Sequence, residues 1–171
     1  MDGGRDSLTG GLHVAVALLT AWLLITSPWV AMYRRLPKHA GFLDLAHVAL
    51  GLLALLLALV YLASCLRGGR WRLYFPWLAG QGGAALRDLG GLLRGRIPSA
   101  EGGGLFGLIE GLALLVLLAT AVTGAAWFFL DGSNAALACR SAHSVAAQAL
   151  IGLVVAHVVT VSLHLVELIR D

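Results

Sequence analysis

Five of the six histidines in this sequence stand inside or at the edge of apolar runs, and the spacing of four of them frames the chemistry open to the chain. The run from Ala142 to Glu167, AHSVAAQALIGLVVAHVVTVSLHLVE, holds His143 and His157, 14 residues apart. At about 100° and about 1.5 Å per residue the two rings lie on nearly one helix face, roughly 21 Å apart along the axis. His13 opens the first apolar run and His47 the second. A neutral imidazole offers one nitrogen lone pair and one N–H, so such rings hold metals, relay protons or bond carbonyls. An ionisable ring in a lipid-length apolar run calls for a partner, and a second histidine at the same depth is the first candidate.

The elements that must position these rings are helices in a membrane. Of the 171 residues 59% are hydrophobic and 12% charged, and the mean hydropathy is +0.87, far from the balance of a soluble domain. Since about 20 apolar residues cross the hydrocarbon layer, four spans are expected, at about 12–33, 42–66, 105–130 and 142–166. The fold class is therefore all-α, a transmembrane four-helix bundle forming one integral-membrane domain over residues 1–171. So short a chain leaves little for a soluble domain, and the function must live among the helices. The net charge of +3 does not signal nucleic acid, because the basic residues flank apolar spans. Cys65 and Cys139 fall at span ends on opposite sides and cannot pair, and no C-x-x-C-H is present for covalent haem attachment.

The first ten residues lack both a positive cluster and a small-residue cleavage site, so the first run reads as a retained span. Pro28 should kink that helix or mark its last turn. The short basic connector Arg34 to Gly41 makes the first two spans antiparallel neighbours. Residues 67–104 are rich in arginine, glycine and aromatics, as an interfacial loop is, with Leu86 to Leu93 as a short surface helix. The third span holds no histidine; its Gly107, Gly111 and Gly124 suit close helix packing, and Glu110 is its one acid. Asp131 to Ser141 then form a short connector. Arg5, the six arginines of the loop and Arg170 make eight cations on one side, against Arg34, Arg35, Lys38 and Arg140 on the other. The positive-inside bias places the N- and C-termini and the loop 67–104 in the cytoplasm.

With alternating helix direction, His13 and His157 share the cytoplasmic half, and His47 and His143 share the outer half. Two imidazoles on facing helices clamp a flat iron porphyrin from both sides. Zinc or copper wants further Cys, His or carboxylate ligands, and only Asp44 is near. Two haem b groups are thus expected, with Gly51 and Gly152 easing the crowding beside them. His164 is a rival partner for His13, but it stands about 60° off the face of His143 and close to Glu167. His39 reads as a solvated neighbour of Lys38.

The spacing of these histidines, HVALG at His47 to Gly51, the segment RDLGGLLRGRIPSAEGGG and AVTG at Ala121 to Gly124 resemble the prokaryotic cytochrome b-561 family. That family is related to the cytochrome b subunits of hydrogenases and formate dehydrogenases. The resemblance spans the whole chain. It implies a cytochrome of the bacterial inner membrane that exchanges electrons with ubiquinone or menaquinone. Where many relatives carry an Asn, often followed by Gln and Lys, at the start of the third span, this chain has GGGLFGLIEG, so the family's quinone contacts do not carry over residue by residue.

Two axial histidines fill the iron, which leaves the protein to move electrons rather than bind a ligand. Three readings follow. The first is a stand-alone quinone-linked carrier, as in family members that oxidise superoxide at the outer face; Arg34, Arg35, Lys38, His39 and Arg140 would steer such an anion or hold haem propionates. The second is a cytochrome b anchor that wires a larger dehydrogenase or reductase, or another redox protein, to the quinone pool. The third, without haem, is a histidine-dependent proton or metal transporter.

Overall fold

The structure is a computed structural model that describes residues 3–67, 71–80, 82–95 and 104–170. Among the described residues it is all helix, without a strand. Helix α1 covers Gly3–Thr26 and passes into a 3-10 turn, Ser27–Trp29. The turn begins where Pro28 removes a backbone donor, and the Thr26 and Ser27 hydroxyls donate to the carbonyls of Trp22 and Leu24, at 2.8 and 2.9 Å. Helix α2, Phe42–Arg67, starts at a reciprocal cap. The Gly41 carbonyl accepts from Leu45 N–H, while the Asp44 carboxylate reaches back to Gly41 N–H at 3.1 Å. Short α3 (Trp71–Tyr74) and α4 (Gly82–Leu92) precede α5, Leu105–Phe129. Helix α6, Asn134–Arg170, is capped by the Ser133 hydroxyl, which accepts from Ala136 N–H at 3.2 Å.

Among the described residues four helices are long and apolar enough to cross a membrane: Ser7–Trp29, Phe42–Arg67, Leu105–Phe129 and Asn134–Leu163. The middle two match the sequence expectation closely and the outer two differ at their ends. The first helix starts before residue 12 and stops at Thr26, short of Tyr33, because the proline turn intervenes. The last begins at Asn134 rather than Ala142. Its first two turns are polar enough to read as a connector, yet Ser133 supplies the cap that starts a helix there. The surface helix expected at Leu86 to Leu93 begins earlier, at Gly82. Arg70 and Arg96, counted with that loop, lie outside the described residues.

The chain forms two compact units, Met1–Ser64 with Val116–Ala149 and Cys65–Leu115 with Leu150–Asp171. In the first unit α1 meets α2 antiparallel, with His13 against Tyr61. Ala54 and Ala58 of α2 are fully enclosed, while Leu18, Leu56 and Leu59 point outward, as side chains destined for lipid do. The connectors 30–41 and 131–133 are laced together. Arg34 Nε donates to the Gly132 carbonyl at 3.0 Å, Gly132 N–H returns a bond to the Arg34 carbonyl, and Leu36 N–H donates to Asp131. Gly132 sits at φ +79° with the Arg35 guanidinium against it, a position that only glycine fills without strain. Trp127 donates to the Tyr33 carbonyl at 2.9 Å, and Arg140 donates to the Met32 carbonyl while covering the Tyr33 ring.

In the second unit, glycines of α5 receive the backbone of α3. A Cβ at Gly107 would strike the Leu73 carbonyl and one at Gly111 the Tyr74 carbonyl, so the small-residue stripe serves close packing, as its composition indicates. Asp88 of α4 caps α5, accepting from Leu105 N–H at 2.9 Å. Cys65 is a fully buried thiol, and Cys139, in the other unit, is half-buried.

Candidate cofactor site

His143 stands on α6 and its Nδ1 lies 2.8 Å from the Thr120 carbonyl of α5. A carbonyl only accepts, so Nδ1 carries the proton and Nε2 keeps the lone pair that binds a metal. Gly124, one turn past Thr120, makes this approach possible. A Cβ there would press on His143 Nδ1 at 3.0 Å and Cε1 at 3.1 Å. The glycine of the AVTG motif therefore seats a ring, and the carbonyl beside it fixes the tautomer.

His47 of α2 faces His143, with ring centres 6.3 Å apart and planes at 82°. Two imidazoles on opposite sides of one metal ion, with bonds of about 2 Å to nitrogen, hold their centres about 6 Å apart. His47 Nδ1 is buried without a hydrogen-bond partner. Gly51, one turn along α2 on the same face, is half-buried, and a Cβ there would meet nothing within 4 Å. An iron porphyrin with two axial imidazoles fits this donor set.

A bare metal ion fits it less well. Asp44 is buried beside His47, but its two oxygens accept from Ala31 N–H at 2.8 Å and Gly41 N–H at 3.1 Å. The carboxylate is thereby taken as a cap. Among the described residues no three His, Cys, Asp or Glu side chains gather in a group that could hold a metal ion.

His13, half-buried on α1, has Nδ1 3.3 Å from the phenol oxygen of Tyr61, with ring centres 5.8 Å apart. Thr20, seven residues further along α1 and so on the same face, is buried with no partner for its hydroxyl. Thr26, Thr120, Thr123 and Thr160 instead return theirs to carbonyls of the preceding turn. His157, in the second unit, is half-buried on α6, and its carbonyl accepts from the Thr160 hydroxyl at 2.9 Å. Gly152 is exposed, and a Cβ there would meet nothing within 4 Å. His39 and Lys38 are exposed, and Glu110 is half-buried on α5. The His164 side chain lies outside the described residues.

Sequence reasoning passed over Tyr61 and Thr120. Thr120 acts through its carbonyl, which no residue type announces. Tyr61 did leave a signal: it follows His47 by 14 residues, the spacing that separates His143 from His157, and so occupies the same face of its helix.

The family model of prokaryotic cytochrome b561 matches residues 5–169. No curated protein and no solved structure matches the chain. With nearly the whole sequence covered, four helices of membrane-crossing length and an imidazole pair spaced for an axially ligated iron, the chain belongs to the prokaryotic cytochrome b561 family, multi-pass membrane cytochromes b that bind haem b and transfer electrons.

Proposed function

We propose that this protein transfers electrons across the bacterial inner membrane through two b haems, one held by His47 and His143 and the other by His13 and His157, and exchanges those electrons with ubiquinone or menaquinone. The observation that carries the reading is the facing pair His47 and His143, 6.3 Å between centres, with the tautomer of His143 fixed by the Thr120 carbonyl. Bound haem b supplies a one-electron iron couple within the hydrocarbon layer. The residues do the rest. His47 and His143 would hold the haem between them and leave its iron no place for a third ligand, which would favour electron transfer over oxygen binding. Gly124 lets His143 sit against α5, and Gly51 leaves room beside His47. The termini and the segment 67–104 are cytoplasmic in this reading, and residues 1–171 act as one membrane domain.

At the outer face we favour an anionic one-electron donor such as superoxide, which would make the protein a superoxide:quinone oxidoreductase. Arg34, Arg35, Lys38 and Arg140 are all exposed there. Arg34 and Arg140 bond neutral acceptors, the Gly132 carbonyl, the Asn134 side chain and the Met32 carbonyl, so their charge is undiminished. The acid nearest them in the connectors is Asp131.

Purified protein, counted for haem by pyridine haemochrome and titrated with quinols and superoxide, tests the reading. Two b haems per chain are expected, reducible by superoxide and oxidised by quinone. His47→Ala and His143→Ala should each remove the same haem, and His13→Ala and His157→Ala the other. A colourless preparation from haem-replete cells would overturn the reading, and loss of one haem by substitutions drawn from both pairs would overturn the pairing.

A further inference from the structure

In the first unit the Nδ1 atoms of His143 and His13 face different kinds of oxygen, a backbone carbonyl and a phenol. The Thr120 carbonyl can only accept, so the proton on His143 Nδ1 is fixed whatever occupies Nε2. The Tyr61 phenol at His13 can donate or accept. Tyr61 is 7% exposed, within an apolar helix, where a phenol needs a polar partner. Once the His13 Nε2 lone pair is given to iron, Nδ1 must carry the proton, and Tyr61 must turn its oxygen toward it as acceptor.

We propose that Tyr61 is the positioning residue of His13: its phenol oxygen holds Nδ1, fixes the ring for ligation through Nε2, and sets the basicity of that ligand. The inference rests on His13 being an axial ligand, as proposed above. An acceptor on the far nitrogen makes an imidazole a stronger donor to the metal, and a stronger donor favours the oxidised iron. Tyr61 therefore lowers the midpoint potential of the haem that His13 ligates and leaves the other haem unaffected.

The test compares Tyr61→Phe with His13→Ala in the full-length haem-loaded protein, by haem count and spectroscopic redox titration. Tyr61→Phe keeps the ring and removes the oxygen. It should retain both haems, with one midpoint raised and the other unmoved, the raised one belonging to the haem that His13→Ala removes. No movement of either midpoint, or movement of the haem that His47→Ala removes, overturns the role of Tyr61. If His13→Ala keeps both haems, the ligand assignment fails instead, so the two failures are distinct. Should Tyr61→Phe not accumulate, difluorotyrosine placed at 61 decides, because it keeps the shape and weakens the oxygen as acceptor. The same midpoint should rise by a smaller step, and an unchanged midpoint overturns the proposal.

Discussion

At the scale of single residues, His143 depends on two features of α5 that carry no obvious chemistry, a backbone oxygen and a missing side chain. Gly124→Ala sets a methyl group 3.0 Å from Nδ1, closer than carbon and nitrogen tolerate, so the ring must withdraw from the Thr120 carbonyl. The loss of that bond should cost about 1 kcal/mol in the stability of the loaded protein. The haem proposed for His47 and His143 should also become easier to extract, as measured by transfer to apomyoglobin, while the second proposed haem is retained. Gly51→Ala is the contrasting case: its Cβ meets no protein atom, so the variant should fold normally and show weaker haem retention only.

At the scale of elements, two aspartates start two of the spans. Asp44 accepts from Gly41 and Ala31, and Asp88 accepts from Leu105. Asp44 is buried, so Asp44→Ala strands two backbone donors and should destabilise the protein by about 2–3 kcal/mol, read as a lower temperature of haem release. Asp88→Ala should cost about 1 kcal/mol, the usual worth of a helix cap. Asp44 also shows how far the sequence could be read. In the sequence it stands only as the carboxylate near His47, whereas its bond to Ala31 depends on a connector folding back. The spans themselves were legible because lipid selects length and hydropathy, and their ends were less so where Pro28 and Ser133 decided them through local backbone geometry. Of the candidate site, the histidines and Gly124 could be found from spacing and motif. The Thr120 carbonyl could not, since every residue has one, and the Tyr61 phenol stands in an aliphatic run where an aromatic ring reads as packing.

At the scale of the whole molecule, the exposed cations Arg34, Arg35, Lys38 and Arg140 would set the encounter with a small anion under the proposed function. If superoxide is the donor, the rate of haem reduction should fall with ionic strength, because the field acts beyond contact distance and salt screens it. Lys38→Gln and Arg35→Gln together should slow the reaction several-fold without changing haem content. Lys38 is the informative choice, since Arg34 and Arg140 also tie the connectors and their loss would confound field with folding. A rate indifferent to salt would favour docking to a neutral or apolar donor surface.

Ala31, Met32, Tyr33, Arg34 and Leu36 are tied on one side of the first connector and Gly41 on the other, which leaves Pro37 to Ala40 as a short bridge between anchored ends, exposed at Lys38 and His39. Trypsin acting after Lys38 would therefore create two fragments whose new termini are already moored. The nicked protein should keep its absorption spectrum and run as one species until detergent denatures it, and co-expression of residues 1–38 with 39–171 should reconstitute the cytochrome from separate pieces.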